Sequence, residues 1–397
     1  MPMAGFDCNT IFLEKLLELL KSDGGVTSLL TLLHYLLTQV MELEVNQITN
    51  AQLYEHSQAR EAKRSGYRDR RFDSALGTCH LRVPKLRQGG YIPSFMKPRM
   101  RSDAALINVV EEAAINGVST RKMEKLLQSL GIESISASQV SNMTERLNEE
   151  AKNFRKRSLA GHSYPVLWVD ALYEHVRTGG KVLSMAVEIV CGVNEEGARE
   201  IIAIETMLTE SESSYSQLFD SLMARGLSGV KLVISDAHPG LESAIRKKFV
   251  GASWQRCKVH FMRNVLAHIP NKEVETFAAR LKEIWQSPTA TKARLVAKEL
   301  AQTYEKRYPK AIDVLMAGLE DSLSYYEFPG LDPKRISSTN MLERLNREAR
   351  RRSSSVTVFP SPESYLKLMT MYLIEYSEDW GKHCYLNREA IQNLLSD

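Results

Sequence analysis

Val166-Leu167-Trp168-Val169-Asp170 and Val230-Lys231-Leu232-Val233-Ile234-Ser235-Asp236 are two apolar, β-branched runs, each ending on a carboxylate. Between them lie two further β-rich runs, Val182 to Val190 and Arg199 to Glu205, linked at Asn194-Glu-Glu-Gly197. A polar helical stretch from about Ser213 to Arg225 follows. Three successive strands, a helix and a fourth strand imply an α/β core with a mixed sheet. If the first and fourth strands lie side by side and parallel, Asp170 and Asp236 converge on one point. A sheet interior would not tolerate those charges, but a sheet rim can hold a cation between them. Paired oxygen ligands suit Mg²⁺, which keeps several waters and shares a substrate's phosphates. The plainer reading is two strand-end aspartates that start turns.

Glu343 is the best third ligand, in Ser338-Thr-Asn-Met-Leu-Glu343-Arg-Leu-Asn-Arg-Glu-Ala-Arg-Arg-Arg352. On a helix, Glu343, Arg347 and Arg350 share one face. A carboxylate bordered by guanidiniums can bind metal while the arginines hold a phosphate chain. Asn340-x-x-Glu343 is equally a capping-box spacing, and the residues alone leave both readings open. Cys257-Lys-Val-His260 has the look of half a zinc site, but no second pair stands at a suitable spacing. Cys257 and His260 are read instead as packing beside the aspartates and fixing a strand-to-helix turn. No GxxxxGK[ST], GxGxxG or GxSxG is present, which weighs against an NTPase, a dinucleotide enzyme or a serine hydrolase.

Around this core the chain reads as helical over 1–57, basic over 58–101 and helical again over 102–155. The core itself takes 164–269, an all-helical stretch 270–336, and the Glu343 helix with the remaining helices 337–397. In 1–57, one apolar stripe runs from Phe12 to Leu20 and a second from Leu29 to Leu37. The run Leu29 to Val45 is interrupted by His34, Gln39, Glu42 and Glu44, so it reads as a buried or dimerising helix rather than a membrane span. The tract 58–101 looks irregular, with a short strand candidate at His80 to Val83. Within 102–155, a helix through Leu130 closed by Gly131 and a second one capped by Ser138 and running to about Glu150 match a helix-turn-helix. Gln139, Ser141, Asn142 and Arg146 line its exposed face; an ordinary helical hairpin fits the same pattern.

Net charge is only +4, yet 60–101 carries a local +9 and 334–352 a local +5, leaving −10 for the rest. Two basic tracts on an otherwise acidic chain suggest a polyanion contacted at chosen places, with solvated surface charge as the plainer account. Arg68, Arg70 and Arg71 are the candidates for phosphate contact, Gln139 and Asn142 for base contact. Five scattered cysteines without a CxxC pair read as reduced thiols of a cytosolic protein, and no secretion signal is evident at the N-terminus.

Taken together and in order, four segments resemble the Mutator-type transposases of bacterial insertion sequences. They are Trp168-Val-Asp-Ala-Leu-Tyr173 with Val176-Arg-x-Gly-Gly-Lys-Val182; Leu227 to His238; Ala252-Ser-Trp-Gln-Arg-Cys-Lys-Val-His-Phe-Met-Arg-Asn264; and Ser338-Thr-Asn-x-Leu-Glu-Arg-Leu-Asn-Arg-Glu348. The resemblance implies a ribonuclease-H-like catalytic core interrupted by an all-helical insertion. It implies an Asp-Asp-Glu triad, here Asp170, Asp236 and Glu343, with Cys257 and His260 as the family's Cys-x-x-His. It further implies two Mg²⁺ ions (Mn²⁺ an accepted substitute) and double-stranded DNA as partner, both terminal inverted repeats and target. A homodimer or larger assembly on that DNA and a cytoplasmic, nucleoid-associated setting complete the expectation. Two rivals are a non-cutting domesticated DNA-binding protein, against which the intact triad argues, and a structure-specific nuclease that does not join.

Overall fold

In the computed structural model the β-branched runs of the middle of the chain form one five-stranded mixed sheet. The structure describes residues 25–53, 55, 60–87, 90–96, 102, 104–115, 118, 120–129, 131–132, 136–354, 356 and 358–396. The expected stripe from Phe12 to Leu20 lies outside them. The chain divides into two compact units, Met1–Arg146 and Leu147–Asp397.

In the first unit, helix α1 (Gly25–Thr49) packs on a long hairpin, β1 (Arg64–Ser74) and β2 (Gly77–Leu86). Met41 and Val45 of α1 meet Phe72, Leu81 and Val83 in a small core. The tract expected to be irregular thus holds an antiparallel hairpin over 64–86. Its basic residues hide the alternation, because on β2 the exposed Arg82 lies between the inward-facing Leu81 and Val83, and on β1 Arg70 stands opposite Leu81. Helices α2 (Ala104–Ile115), α3 (Thr120–Ser129) and α4 (Ala137–Met143) share a second core of Leu106, Val110, Met123, Leu127 and Val140. The N-cap of α4 is Ser136, not Ser138: the Ser136 hydroxyl accepts from Gln139 N while the Gln139 side chain accepts from Ser136 N. The helix expected to reach Glu150 breaks at Thr144, and α5 (Glu145–Lys156) follows as a separate element.

The second unit carries the sheet. Strands β3 (Val166–Thr178), β4 (Lys181–Val193) and β5 (Arg199–Met207) form an antiparallel meander. Helix α6 (Glu212–Ala224) leads to β6 (Leu232–Ser235), which lies parallel to β3. Helix α7 (Pro239–Lys248) then leads to β7 (Ser253–Arg256), parallel to β6. The strand order is β5-β4-β3-β6-β7. β7 escaped the sequence reading because it is four residues long and three of them are polar. Alternation splits the apolar residues of β3 between two cores. Leu167 and Val169 face Tyr215, Phe219 and Leu241 on one side. Trp168 and Leu172 face the other, against Leu342, Leu345 and Ala349 of α13 (Asn340–Ser353) and Tyr365 and Met369 of α14 (Pro362–Ser377).

Between β7 and α13 come α8 (Lys258–Leu266), α9 (Val274–Gln286), α10 (Ala290–Tyr304), α11 (Pro309–Gly318) and the short α12 (Pro333–Ile336). Phe277, Leu281, Ile284, Ala297, Leu300 and Leu315 give the helices α9 to α11 a core of their own. Gln255, fully buried on β7, ties this insertion to the sheet: its Nε2 donates to Ser322 O at 2.9 Å and its Oε1 accepts from Tyr325 N at 2.7 Å. Among the described residues no helix is long and apolar enough to cross a membrane.

The chain end, with α15 (Arg388–Ser396), docks on the β4–β5 turn, where Tyr385 N donates to Gly197 O at 2.7 Å. Gly197 has φ +78°, and a Cβ there would run into the Leu386 carbonyl oxygen. Gly197→Ala is therefore expected to destabilise the second unit by about 1–3 kcal/mol. Urea unfolding of the two proteins measures it, and equal midpoints would show that the turn tolerates a side chain.

Candidate active site

The register of β3 against β6 places two carboxylates side by side. Trp168 pairs with Ile234, so Asp170 and Asp236, each two residues further on, stand level. β6 ends at Ser235, while β3 continues past Asp170 to Thr178. Asp170 is therefore mid-strand rather than at a strand end, which corrects the sequence reading. From that point β3 has no parallel neighbour, and a cleft of about 480 Å³ opens. It is lined by Asp170, Asp236 and Glu343, together with Tyr173, Glu210, His260, Arg263, Asn346, Arg347 and Arg350.

Asp170 is only 6% exposed. Burial, reinforced by the charges of Asp236 and Glu343 and opposed by His260, pushes its carboxyl up to about 7. Burial also raises Asp236, with His260 again opposing. Such repulsion among desolvated carboxylates is relieved by a cation.

Glu343 faces the aspartates from α13, whose apolar stripe of Leu342, Leu345 and Ala349 fixes the rotation of the helix. The capping-box alternative fails on geometry. Thr339, not Asn340, is the N-cap, and no side chain caps this helix. Glu343 instead accepts from Arg263 Nη1 at 3.0 Å and Nη2 at 3.3 Å, and its Oε1 lies 2.8 Å from His260 Nε2. The Cys257 side chain, outweighing burial and helped by the charges of Cys257, Asp170 and Glu343, pushes His260 up to about 9, so it is a cation at neutral pH. His260 Nδ1 makes no well-aligned hydrogen bond, which makes its approach to the sulfur a looser contact.

Cys257 joins three elements. Its N donates to Ser235 O at 2.7 Å, at the end of β6, and it forms the N-cap of α8. Its Sγ accepts from Thr339 N and Oγ1, both at 3.3 Å, at the start of α13. Burial raises the thiol, yet hydrogen bonds with His260 and Thr339 outweigh that and hold it below its ordinary value.

Several residues of the cleft, and buried groups bonded to them, escaped the sequence reading. Asn346, one turn after Glu343, donates from Nδ2 to Asp170 Oδ2 at 2.7 Å; helical spacing could have revealed it. Arg263 stands one turn after His260 and was findable in the same way. Glu188 is the lone charge in the Val182–Val190 run, and burial with the Glu210 charge pushes it up to about 8. The Tyr215 hydroxyl lies within hydrogen-bond distance of Glu188 Oε1 (3.1 Å) and Glu210 Oε1 (2.6 Å), and Tyr173 also bonds Glu210. Glu210 sits in a loop with no local signal.

Among the described residues no three His, Cys, Asp or Glu side chains are arranged to hold a metal ion as they stand, Glu343 being turned to the cations of α8. The donor chemistry nevertheless fits a hard divalent cation. Every candidate ligand is oxygen, and the buried Asn346 Oδ1 beside them lacks a hydrogen-bond partner. Arg347 and Arg350 are exposed at the cleft.

The remaining candidates lie in the first unit. Arg70 is exposed on β1, Arg68 donates to Tyr91 O at 2.6 Å, and Arg71 to Asp73 Oδ1 at 2.8 Å. On α4, Asn142 is exposed, whereas the Gln139 amide is engaged in the cap. Arg146 donates to the buried Glu111, at 3.2 Å from Nε.

A family model described as transposase, Mutator family, matches residues 9–383. The chain is 36% identical over 382 residues to the transposase for insertion sequence element IS256 in transposon Tn4001 of Staphylococcus aureus, covering 96% of this chain and 97% of that one. It is 37% identical over 350 residues to the transposase for insertion sequence element IS1081 of Mycobacterium tuberculosis, covering 88% and 84%. Among solved structures, the Drosophila P element transposase strand transfer complex covers 78% of this chain and 87% of that one at 11% identity. Its TM-score of 0.29 is too low to bear on the fold.

The buried aspartate makes metal-free stability depend on pH. Folded Asp170 holds its proton up to about 7, whereas an unfolded aspartate loses it near 3.8. Between those values the folded state binds the extra proton, so stability falls as pH rises through the window. Asp170→Asn lacks this component. Melting in EDTA at mildly acidic and neutral pH should show the variant gaining at least about 2 °C on the parent toward neutrality. Parallel melting curves would mean that Asp170 ionises normally.

Proposed function

The chain belongs to the Mutator family of transposases, and we propose that its cleft of Asp170, Asp236 and Glu343 cuts and joins DNA at the ends of an insertion sequence. The observation that carries this is the level placement of Asp170, on β3, and Asp236, just past the end of the parallel β6, with Glu343 lining the same cleft. The antiparallel meander followed by two parallel strands supports a ribonuclease-H-like core, which the helices of 270–336 interrupt between the second aspartate and the glutamate.

Asp170, Asp236 and Glu343 would hold Mg²⁺, two ions in the full reaction, with Mn²⁺ as substitute. When bound, the metal supplies Lewis acidity for in-line displacement at phosphorus. The chain's own residues do the rest. Asn346 orients Asp170 through Nδ2, and burial of that carboxylate keeps bulk water from competing for it. His260 and Arg263 neutralise Glu343, a carboxylate that would be free to hold the metal only once released from them. Arg347 and Arg350 hold the phosphates on either side of the scissile bond, as planar, bidentate donors do. Water would be the first nucleophile, releasing a 3′-hydroxyl, and that hydroxyl the second, on target DNA.

End recognition is assigned to the first unit, with Arg68, Arg70 and Arg71 on phosphates and Asn142 and Gln139 of α4 toward bases. The cap already engages Gln139, which leaves Asn142 the stronger base reader. Two ends joined in one complex call for at least a homodimer, working in the bacterial cytoplasm on the nucleoid.

Incubation with terminal-repeat DNA and Mg²⁺, mapping every cut and joined strand, tests this reading. Asp170→Ala, Asp236→Ala and Glu343→Gln should each lower product at least about a hundredfold while DNA retention in gel shifts stays within a factor of two or so. Full activity in Glu343→Gln would remove Glu343 from the site. Arg70→Ala should weaken binding to all sequences alike and flatten the salt dependence by about 0.9 of a logarithmic slope unit. Asn142→Ala should instead relax preference at one base position. If neither substitution alters DNA binding, end recognition lies elsewhere.

A further inference from the structure

Asn346 stands three residues after Glu343 on α13, so both side chains leave the helix on one face. It is 6% exposed, and its Nδ2 donates to Asp170 Oδ2 at 2.7 Å. With Asp170 ionised, the form that a bound cation favours, that bond fixes the amide orientation, because a carboxylate accepts and nitrogen must face it. Oδ1 is left buried with no hydrogen-bond partner, on a side chain that lines the cleft with Asp170, Asp236 and Glu343. A desolvated, unpaired carbonyl oxygen is costly, and an aliphatic side chain of the same shape would avoid that cost. The orphan atom therefore points to a missing electropositive partner. None of the cleft's protein donors bonds Oδ1: Arg263 and His260 Nε2 are engaged by Glu343, and neither Arg347 nor Arg350 reaches it.

We propose that Asn346 is a bifunctional part of the cation site, its Nδ2 fixing the orientation of Asp170 and its Oδ1 serving as a neutral oxygen donor to the divalent cation. The proposal rests on reading the cleft as a metal-dependent centre. A neutral donor suits this position. A fourth carboxylate against Asp170 would add to the repulsion that already raises its protonation, whereas a carboxamide supplies oxygen without charge and stabilises the anion beside it. The spacing also explains why the amide lies on α13: the element that brings Glu343 brings Asn346 with it, so one helix docking event sets two donors at once.

Mn²⁺ titration of the full chain, followed by the electron paramagnetic resonance signal of the free ion, tests the proposal without any DNA reaction. Asn346→Leu, close in volume and without polar atoms, should bind Mn²⁺ about tenfold more weakly while metal-free melting stays cooperative. Asn346→Asp keeps an oxygen where the cation needs one but loses the Nδ2 donor, so it should bind Mn²⁺ more tightly than Asn346→Leu, although its metal-free form melts lower through repulsion with Asp170. A purely structural amide predicts both variants equally weakened. Parental affinity in Asn346→Leu, or affinity in Asn346→Asp no better than in Asn346→Leu, overturns the proposal. If Asn346→Leu fails to fold, Asn346→Ala takes its place in the comparison. Asp170→Asn separates the two levels of inference. If it loses Mn²⁺ while Asn346→Leu keeps it, only the role of Asn346 falls. If Asp170→Asn also keeps it, the metal-centre reading falls and this proposal with it.

Discussion

Parallel pairing of β6 with β3, in the register Trp168 to Ile234, is what the rest of the second unit depends on. It holds for only three residue pairs, yet it sets Asp236 level with Asp170. A slip of one residue would turn every side chain of β6 to the other face and send Asp236 away from the cleft. The register is protected by alternation: Leu232 and Ile234 belong to the core beneath α13, and Val233 to the core beneath α6 and α7. The early end of β6 matters as much as its register. Because β3 runs on alone, Asp170 can be nearly buried and still border an opening.

Closure of the cleft falls to α13, which arrives after an insertion that separates Asp236 from Glu343 by 107 positions. A flexible chain of that length would leave the third carboxylate poorly placed. Here the intervening helices fold around their own core, and Gln255 ties them back to β7, so the path between the aspartates and α13 is stiff. Cys257 completes the link at close range. It accepts from Thr339 while its own N–H reaches Ser235, so the end of β6 and the start of α13 share one residue. This explains the Cys257 and His260 spacing without zinc: one turn of α8 separates the anchor of α13 from the cation facing Glu343.

Much of this was legible in the residues, and the failures have physical causes. The apolar runs ending at Asp170 and Asp236 predicted both strands; that they lie side by side and parallel was a condition of the site reading, which the β3–β6 pairing meets. The stripes of Phe277, Leu281 and Ile284 predicted the insertion helices. β7 went unseen because four residues rich in Ser, Gln and Arg carry no periodicity, and it exists only through its bonds to β6. The basic hairpin was misjudged because charge on its outer positions masked the alternation of Phe72, Leu81 and Val83. The cap of α4 fell on Ser136 rather than Ser138 because Gln139 reaches back to the former, a choice that composition in a serine-rich stretch cannot make.

The sequence by itself determined most elements of the second unit and the mixed character of its sheet, and it singled out Asp170 and Asp236 as carboxylates that a core rejects, since these follow from local periodicity and residue type. Only the tertiary structure showed what Glu343 contacts. Its position admitted a helix cap, which the uncapped Thr339 start excludes, and the side chain pairs instead with Arg263 and His260, from a helix about 80 residues earlier. It also decided the unusual protonation of Asp170 and the orphan oxygen of Asn346. Desolvation and partner count are properties of the space around a group, and that space is built by strands and helices far apart in the chain.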